Sequence, residues 1–156
     1  MSKKPAGPKI LASNRRARHD FEIIDTYEAG IALEGSEVKS LRAGRGNLKD
    51  SFAHIKDGEV WLVGAYIAPY SYARGGGHPP ERTRKLLLHR REIDRLTGAL
   101  AEKGLTLIPL EMYLKDGRVK VRLGLGRGRR AYDKRQAIRE REQAREMQRA
   151  VRRIHR

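Results

Sequence analysis

The sequence predicts a mainly β domain, a small closed antiparallel barrel with flanking helices, followed by a basic C-terminal tail. Three observations carry this expectation. Two Asp-Gly pairs, Asp57-Gly58 and Asp116-Gly117, sit between apolar runs. Such a pair is the favoured two-residue hairpin turn, because both turn positions need positive φ. Apolar and polar residues alternate in several short segments, the period of a half-buried strand. Finally, residues 127–156 hold twelve Arg or Lys against four Asp or Glu, a net +8 that is half of the chain's +16.

Along the chain, residues 1–13 read as a flexible lead. Residues 19–33 alternate, with Phe21, Ile23, Tyr27, Ala29, Ile31 and Leu33 on one parity and a bulge or tight turn expected at Asp25-Thr26. A short helix fits GSEVKSLRAG, with Ser36 as cap and Gly44 as terminator. The first hairpin pairs Ser51–Ile55 with Glu59–Ile67; the second pairs Leu105–Leu114 with Arg118–Leu125. In the last strand Val119, Val121, Leu123 and Leu125 point to the core, and Arg118, Lys120 and Arg122 point away from it. Between the hairpins lie a flexible loop over 70–81 and a helix over 89–103, where Ile93, Leu96 and Leu100 share a face. Antiparallel hairpins with a helix between them make the barrel most plausibly OB-like, spanning residues 14–126.

Composition narrows the function. Lys and Arg outnumber Asp and Glu by 35 to 19 and the pI is near 10.7, a balance that favours phosphate-rich partners. The chain has no cysteine, so disulfides and thiolate chemistry are excluded and a structural zinc site is disfavoured. No apolar run reaches the ~20 residues that span a bilayer, and the N-terminus lacks the apolar stretch of a signal peptide. A cytoplasmic protein is expected. The tail, 127–156, follows a Gly-rich joint at 124–128 and has too little apolar surface to offset its ordering entropy. Ala144, Met147, Val151 and Ile154 form a thin apolar stripe, and Arg141, Arg145, Arg149 and Arg153 a cationic ridge. The tail is therefore expected to be disordered when free and helical once phosphates neutralise the ridge.

Cations cluster at Arg15-Arg16-Ala17-Arg18-His19, at Lys39-Ser40-Leu41-Arg42 and at Arg82-Thr83-Arg84-Lys85. Rings of His19, Tyr70, Tyr72 and Tyr132 lie beside these runs, as base stacking requires. Catalysis has little support. His19 and Asp20 would face opposite sides of a strand, the other histidines lack ligand spacing, and there is no nucleophile motif or P-loop.

The run from Asn14 to Phe52, with EAG-x-x-L-x-G-x-EVKSLR, together with RTRKLLLHRREIDRL at 82–96 and GRGRRAYDKRQAIREREQAREM in the tail, closely resembles the SsrA-binding protein (small protein B) family. The resemblance implies an OB-like barrel and a non-enzymatic adaptor with no cofactor. Such an adaptor binds the tRNA-like domain of transfer-messenger RNA. It helps deliver that RNA, alanyl-charged and with elongation factor Tu, to ribosomes stalled without a stop codon. A monomer without membrane contact is expected. By position, the resemblance assigns RNA binding to Asn14, Glu28 and Leu87, with Arg18, His19, Lys39 and Arg42 as supporting contacts. It sends the tail, through Arg130, Tyr132, Asp133, Lys134 and Arg135, to the small-subunit decoding centre and mRNA channel. The residues themselves leave two points open: Glu28 either meets a base or pairs with a neighbouring Arg, and Leu87 is either a contact or ordinary core. A structural ribosomal protein is the alternative, and a nuclease a distant third.

Overall fold

The computed structural model describes residues 8–70, 77–102, 104–129 and the helical backbone of 131–154, with side chains of that helix from 139 to 152. In chain order the elements are β1 (Lys9–Ser13), α1 (Ala17–Asp20), β2 (Phe21–Ile31), α2 (Gly35–Arg42), β3 (Gly46–Asn47), β4 (Phe52–Lys56), β5 (Glu59–Val63), β6 (Tyr66–Ile67), β7 (Arg84–Leu87), α3 (Arg90–Leu100), β8 (Leu105–Lys115), β9 (Arg118–Gly128) and α4 (Ala131–Ile154). The fold is mainly β with flanking helices.

Six strands form a ring in the order β8, β4, β5, β7, β2, β9, and β9 returns to β8. One edge of β8 follows β9 from Leu105↔Arg127 to Lys115↔Arg118. Its other edge meets β4 at Leu107↔Ala53 and then β1 over Glu111–Leu114. The small β3–β6 ladder stands apart from this sheet. Both hairpins turn where expected: Asp57 and Gly58 have φ of 53° and 73°, Asp116 and Gly117 of 52° and 74°.

The main core joins strand residues such as Ala29, Val60, Leu62, Leu86, Met112, Val121 and Leu123 to Leu41 of α2 and Leu96 of α3. A smaller second cluster gathers Ala17, Ile108 and Leu110 with Phe21 and Ile23. It exists because β2 and β8 are each bulged, between Ile23 and Asp25 and between Pro109 and Glu111. A bulge resets side-chain parity. Phe21 and Ile23 therefore leave the face shared by Tyr27 and Ala29, against the single parity read from the sequence.

Four expectations change. Lys9–Ser13 is not part of a flexible lead, because β1 pairs with β8 and buries Leu11 and Ala12. Glu34, not Ser36, caps α2, and it shares a reciprocal capping box with Glu37. The strand expected over Glu59–Ile67 breaks at Gly64, whose φ is 80°. The segment 124–128 is strand rather than joint, since β9 runs to Gly128. Gly124 and Gly126 are there for packing: an added Cβ would sit 3.1 Å from Leu110 and 3.1 Å from Phe21 respectively, so the second cluster needs a bare backbone.

Candidate nucleic-acid interface

Antiparallel pairing sets the interface. Directly paired residues share a face of the sheet, and two adjacent rows lie on the face of β2, β9 and β8 opposite the main core. One row is Glu28–Arg122–Glu111–Ser13. The next is Leu87–Gly30–Lys120–Tyr113–Ile10. Their inward neighbours Val119, Val121 and Leu123 are buried, as the alternation required. Two residues distant in sequence, Glu28 and Leu87, are thus brought onto one surface with the outward cations of β9.

Leu87 is 52% exposed while Leu86 is buried, so the core alternative for Leu87 is excluded. Leu86 pairs with Val60 in the ring, and the next residue must point outward. Opposite Leu87 stands Gly30, where an added Cβ would lie 3.3 Å from the Leu87 Cβ. The glycine keeps that side of the leucine clear.

Glu28 does not pair with a neighbouring Arg. Its Oε2 accepts a 2.5 Å hydrogen bond from the Tyr113 hydroxyl, and Lys115 Nζ donates at 3.3 Å. The Tyr113 bond, against the effect of burial and with help from Lys115, holds the Glu28 carboxyl below its ordinary range. Burial first, and then the Glu28 charge and hydrogen bond, push the Tyr113 phenol up to about 12. The Arg122 guanidinium lies 5.4 Å over the Tyr113 ring, and its Nε is 3.0 Å from Glu111.

Asn14 follows β1 directly. Its backbone N–H donates to Leu110 O at 2.8 Å and its side chain to Pro109 O at 3.0 Å, while its carbonyl accepts from Ala17 N. These bonds, with Ala17 in the second cluster, fix the turn that presents Arg15, Arg16 and Arg18. A cleft of about 250 Å³ lined by Ser13, Asn14, Arg15, Arg18, Leu110, Glu111 and Arg122 connects this turn to the Glu28 row. Across the turn a wider cleft of about 520 Å³ is lined in part by Arg15, Arg16, Asn47 and Lys49. His19 and Asp20 lie in α1, not in a strand, and His19 Nδ1 is 2.9 Å from Asp20 Oδ1. The two residues therefore do not face opposite sides of a strand. Among the described residues, no group of three or more His, Cys, Asp and Glu could hold a metal ion.

The EVKSLR motif divides by face. Glu37, Ser40 and Leu41 are buried; Lys39 and Arg42 are exposed. Lys39 Nζ stands 5.5 Å over the Tyr70 ring, and Ser40 Oγ donates to Ala68 O. The helix is held from within by its motif residues and shows its cations outward. It packs on β1 and β6 and reaches β7 through Glu37, and no residue of either cleft comes from it.

The run Arg82–Lys85 is not the free cationic patch that the sequence suggests. Arg84 faces inward beside Leu86 and is wholly buried. It donates to Glu37 through Nε, to Ala65 O at 2.8 Å and to Pro80 O at 3.1 Å. Arg82 donates to the other Glu37 oxygen at 2.5 Å. Burial drives the Glu37 carboxyl up, but bonds from Arg82, the Glu34 amide and Arg84 prevail and hold it low. Burial likewise lowers Arg84, with Glu37 opposing. Lys85 meets Glu59 at 2.9 Å.

Three structural residues escaped the sequence reading. Tyr113 lay unremarked in an apolar run. Glu37 accepts from the Glu34 amide, Arg82 and Arg84, a role that nothing in the sequence around it signals. His78, in the loop expected to be flexible over 70–81, is buried. Its Nε2 donates to Ile67 O at 2.9 Å, so its Nδ1 accepts from the Ser36 hydroxyl at 2.9 Å. Residues 71–76, with Tyr72, lie outside the described residues, as do Arg130 and the side chains of Tyr132, Asp133, Lys134 and Arg135. The described side chains of α4 are exposed, Met147 and Val151 of the apolar stripe among them. No described helix is long and apolar enough to cross a membrane.

Comparison with known proteins gives the family. The family model described as SmpB protein matches residues 11–153. An SsrA-binding protein of Acidothermus cellulolyticus is 59% identical over 95% of this chain and 93% of its own length. That of Thermobifida fusca is 57% identical over 96% and 94%. A solved chain described as "tmRNA-SmpB: a journey to the center of the bacterial ribosome" is 53% identical, with a TM-score of 0.66, over 81% of this chain and 93% of that one. With nearly its whole length matched at this identity, the chain belongs to the SmpB protein family.

Proposed function

We propose that this chain is an RNA-binding adaptor. It binds the tRNA-like domain of transfer-messenger RNA and delivers it to stalled ribosomes for trans-translation. The carrying observation is family membership over almost the whole chain, joined by an outward face that brings Asn14, Arg18, Glu28, Leu87 and Arg122 together. In this reading the strand ring is an OB-like barrel that recognises the RNA, and Lys39 and Arg42 add phosphate or guanine contacts from α2. The tail, helix α4 over most of its length, lies in the mRNA channel, with Tyr132 stacking and Lys134 and Arg135 reaching phosphates near the decoding centre. The adaptor works in the cytoplasm without catalysis, and elongation factor Tu joins it through the charged RNA.

Affinity capture followed by sequencing of the bound RNA tests this directly. Transfer-messenger RNA should dominate at substoichiometric levels against ribosomes. A constant one-per-subunit ratio would make the chain a ribosomal structural protein. The division of labour is tested by Asp133→Ala/Lys134→Ala/Arg135→Ala, which removes a net charge of only +1. RNA affinity should hold while tagging of stalled chains is abolished in a reconstituted assay. If both fall together, the tail is an electrostatic anchor and the two-part reading fails.

A further inference from the structure

An ionised acid on a surface that meets a polyanion repels phosphate. It is useful there only if it accepts from something other than phosphate: RNA offers ribose 2′-hydroxyls and base N–H groups as donors, and only the base groups carry sequence. The outward face carries two acids in one row, Glu28 and Glu111. Glu111 has Arg122 Nε at 3.0 Å and its side chain is 27% exposed, so Glu28 is the more open of the two. The partners of Glu28 are the Tyr113 hydroxyl at 2.5 Å and Lys115 at 3.3 Å, and its side chain remains 40% exposed.

Tyr113 itself is almost fully buried. It is gripped in register between Ile10 of β1 and Lys120 of β9, under the Arg122 guanidinium. A phenol has one proton to donate, and this one goes to Glu28 Oε2. Because the ring is fixed, the bond fixes the carboxylate. Oε1, whose protein donor is the Lys115 ammonium at 3.3 Å, keeps capacity for a further donor.

We propose that Tyr113 is a positioning residue for base readout: its hydroxyl holds the Glu28 carboxylate so that Oε1 accepts from an amino or imino group of an unpaired RNA base. This rests on the reading of Glu28 as an RNA contact. The bond does its work before RNA arrives, by preventing the carboxylate from swinging towards Lys120, where it would cancel a charge that can meet phosphate.

The test uses the full chain with two RNAs, a transcript of the tRNA-like domain and a single-stranded control of equal length. Tyr113→Phe keeps the ring and removes the donor. It should weaken binding to the transcript by about tenfold, as loss of a hydrogen bond to a charged group does, and leave the control unchanged. In the Glu28→Gln background it should cost nothing further. The groups facing Glu28 are Tyr113, Lys115 and Glu111 of β8 and Lys120 and Arg122 of β9. Of these the Tyr113 bond most lowers the Glu28 pKa, so transcript binding by Tyr113→Phe should fail at a higher pH than wild type on acidification.

Lys115→Met leaves the hydroxyl in place and should keep most of the affinity; a loss equal to that of Glu28→Gln would overturn the assignment in favour of the lysine, whether or not Tyr113→Phe folds. Equal losses on both RNAs, or losses that multiply in the double variant, overturn it as well. A wild type that prefers the transcript while Tyr113→Phe keeps that preference defeats the Tyr113 role alone. A wild type with no preference defeats the functional reading, and the assignment with it.

Discussion

Arg82–Lys85 and the described stretch 139–152 of α4 are both cationic runs in the sequence, and the fold uses them in opposite ways. In β7, alternation turns Arg84 inward, and Glu37 arrives from α2, 47 residues away, to meet it. Arg82 closes on the same carboxylate and Lys85 on Glu59. Along α4, Arg139, Arg145, Arg149 and Arg152 stay exposed. A cation that parity forces inward must find an acid and is then spent on holding the fold. One on a solvated helix keeps its charge for a partner. Charge density in the sequence does not separate these fates; the strand period and the position of a distant acid do.

The comparison breaks most sharply at the knot. Arg84→Met leaves the Glu37 carboxylate buried with Arg82 alone, and losing one member of a buried pair costs about 3–5 kcal/mol. Urea unfolding should register that loss, while RNA affinity per folded molecule stays near wild type. Acid gives a second reading. The folded-state pKa of Glu37 lies below its ordinary value of 4.5. The stability it contributes is thus present above about pH 4.5 and lost as pH falls through the folded value. Glu37→Gln should be less stable at neutral pH and lose less on acidification. An Arg84→Met protein as stable as wild type would show the knot to be no more than packing.

Removing the tail is the complementary cut. The truncation belongs after Arg129, because ending at residue 126 would strip Arg127 and Gly128 of their pairing with Leu105, Glu22 and Phe21. Residues 1–129 should unfold as the full chain does and retain most of the affinity for the tRNA-like domain. The slope of log affinity against log salt should flatten, since each lost phosphate contact removes about 0.7 from it on single strands. An unchanged slope would mean that the tail's cations do not meet the RNA; absence of binding at low salt would place recognition in the tail.

What was readable in the sequence was local. The Asp-Gly turns need only two adjacent residues, and the inward set Val119, Val121 and Leu123 needs only a period of two. The facing of Leu87 was not readable, because three successive leucines satisfy either parity until Leu86 is paired with Val60. Phe21 and Ile23 were misplaced because a single bulged residue reverses everything before it. β1 was missed because Lys9–Ser13 has two buried positions and no pattern of its own; its strand character comes from β8. The candidate site was readable as residues, through family resemblance, but not as geometry. The Tyr113–Glu28 bond spans 85 positions, and no local pattern reports such a pairing.

A smaller effect is expected on α2, where buried and exposed charges share one motif. Lys39→Ala with Arg42→Ala removes two outward cations and leaves Glu37, Ser40 and Leu41 in place. Binding to the tRNA-like domain should weaken by about tenfold. The thermal midpoint should barely move, since the Lys39–Tyr70 contact is worth only about 0.5–1 kcal/mol at such a site. Filter binding beside a thermal melt separates the two. Equal affinity would leave α2 a purely structural helix and shrink the interface to the Glu28 rows and the Asn14 turn.

The smallest effect is predicted at Lys85, and it decides whether the Arg82–Lys85 run is as fully spent as its geometry implies. Lys85 points outward beside Leu87, so it is a cation of the run with a view of solvent near the proposed RNA face. Its Nζ lies 2.9 Å from Glu59, with both side chains well exposed. Such a pair contributes between nothing and about 1 kcal/mol. Lys85→Ala should therefore shift the thermal midpoint little. It should change RNA affinity by no more than about twofold, because a lysine already facing a carboxylate releases few counterions when RNA binds. Glu59→Gln sharpens the point: freeing the lysine should strengthen binding slightly and raise the salt dependence. If Lys85→Ala instead costs tenfold while Glu59→Gln changes nothing, the lysine leaves Glu59 to meet phosphate, and the run divides within itself into a buried half and a working half.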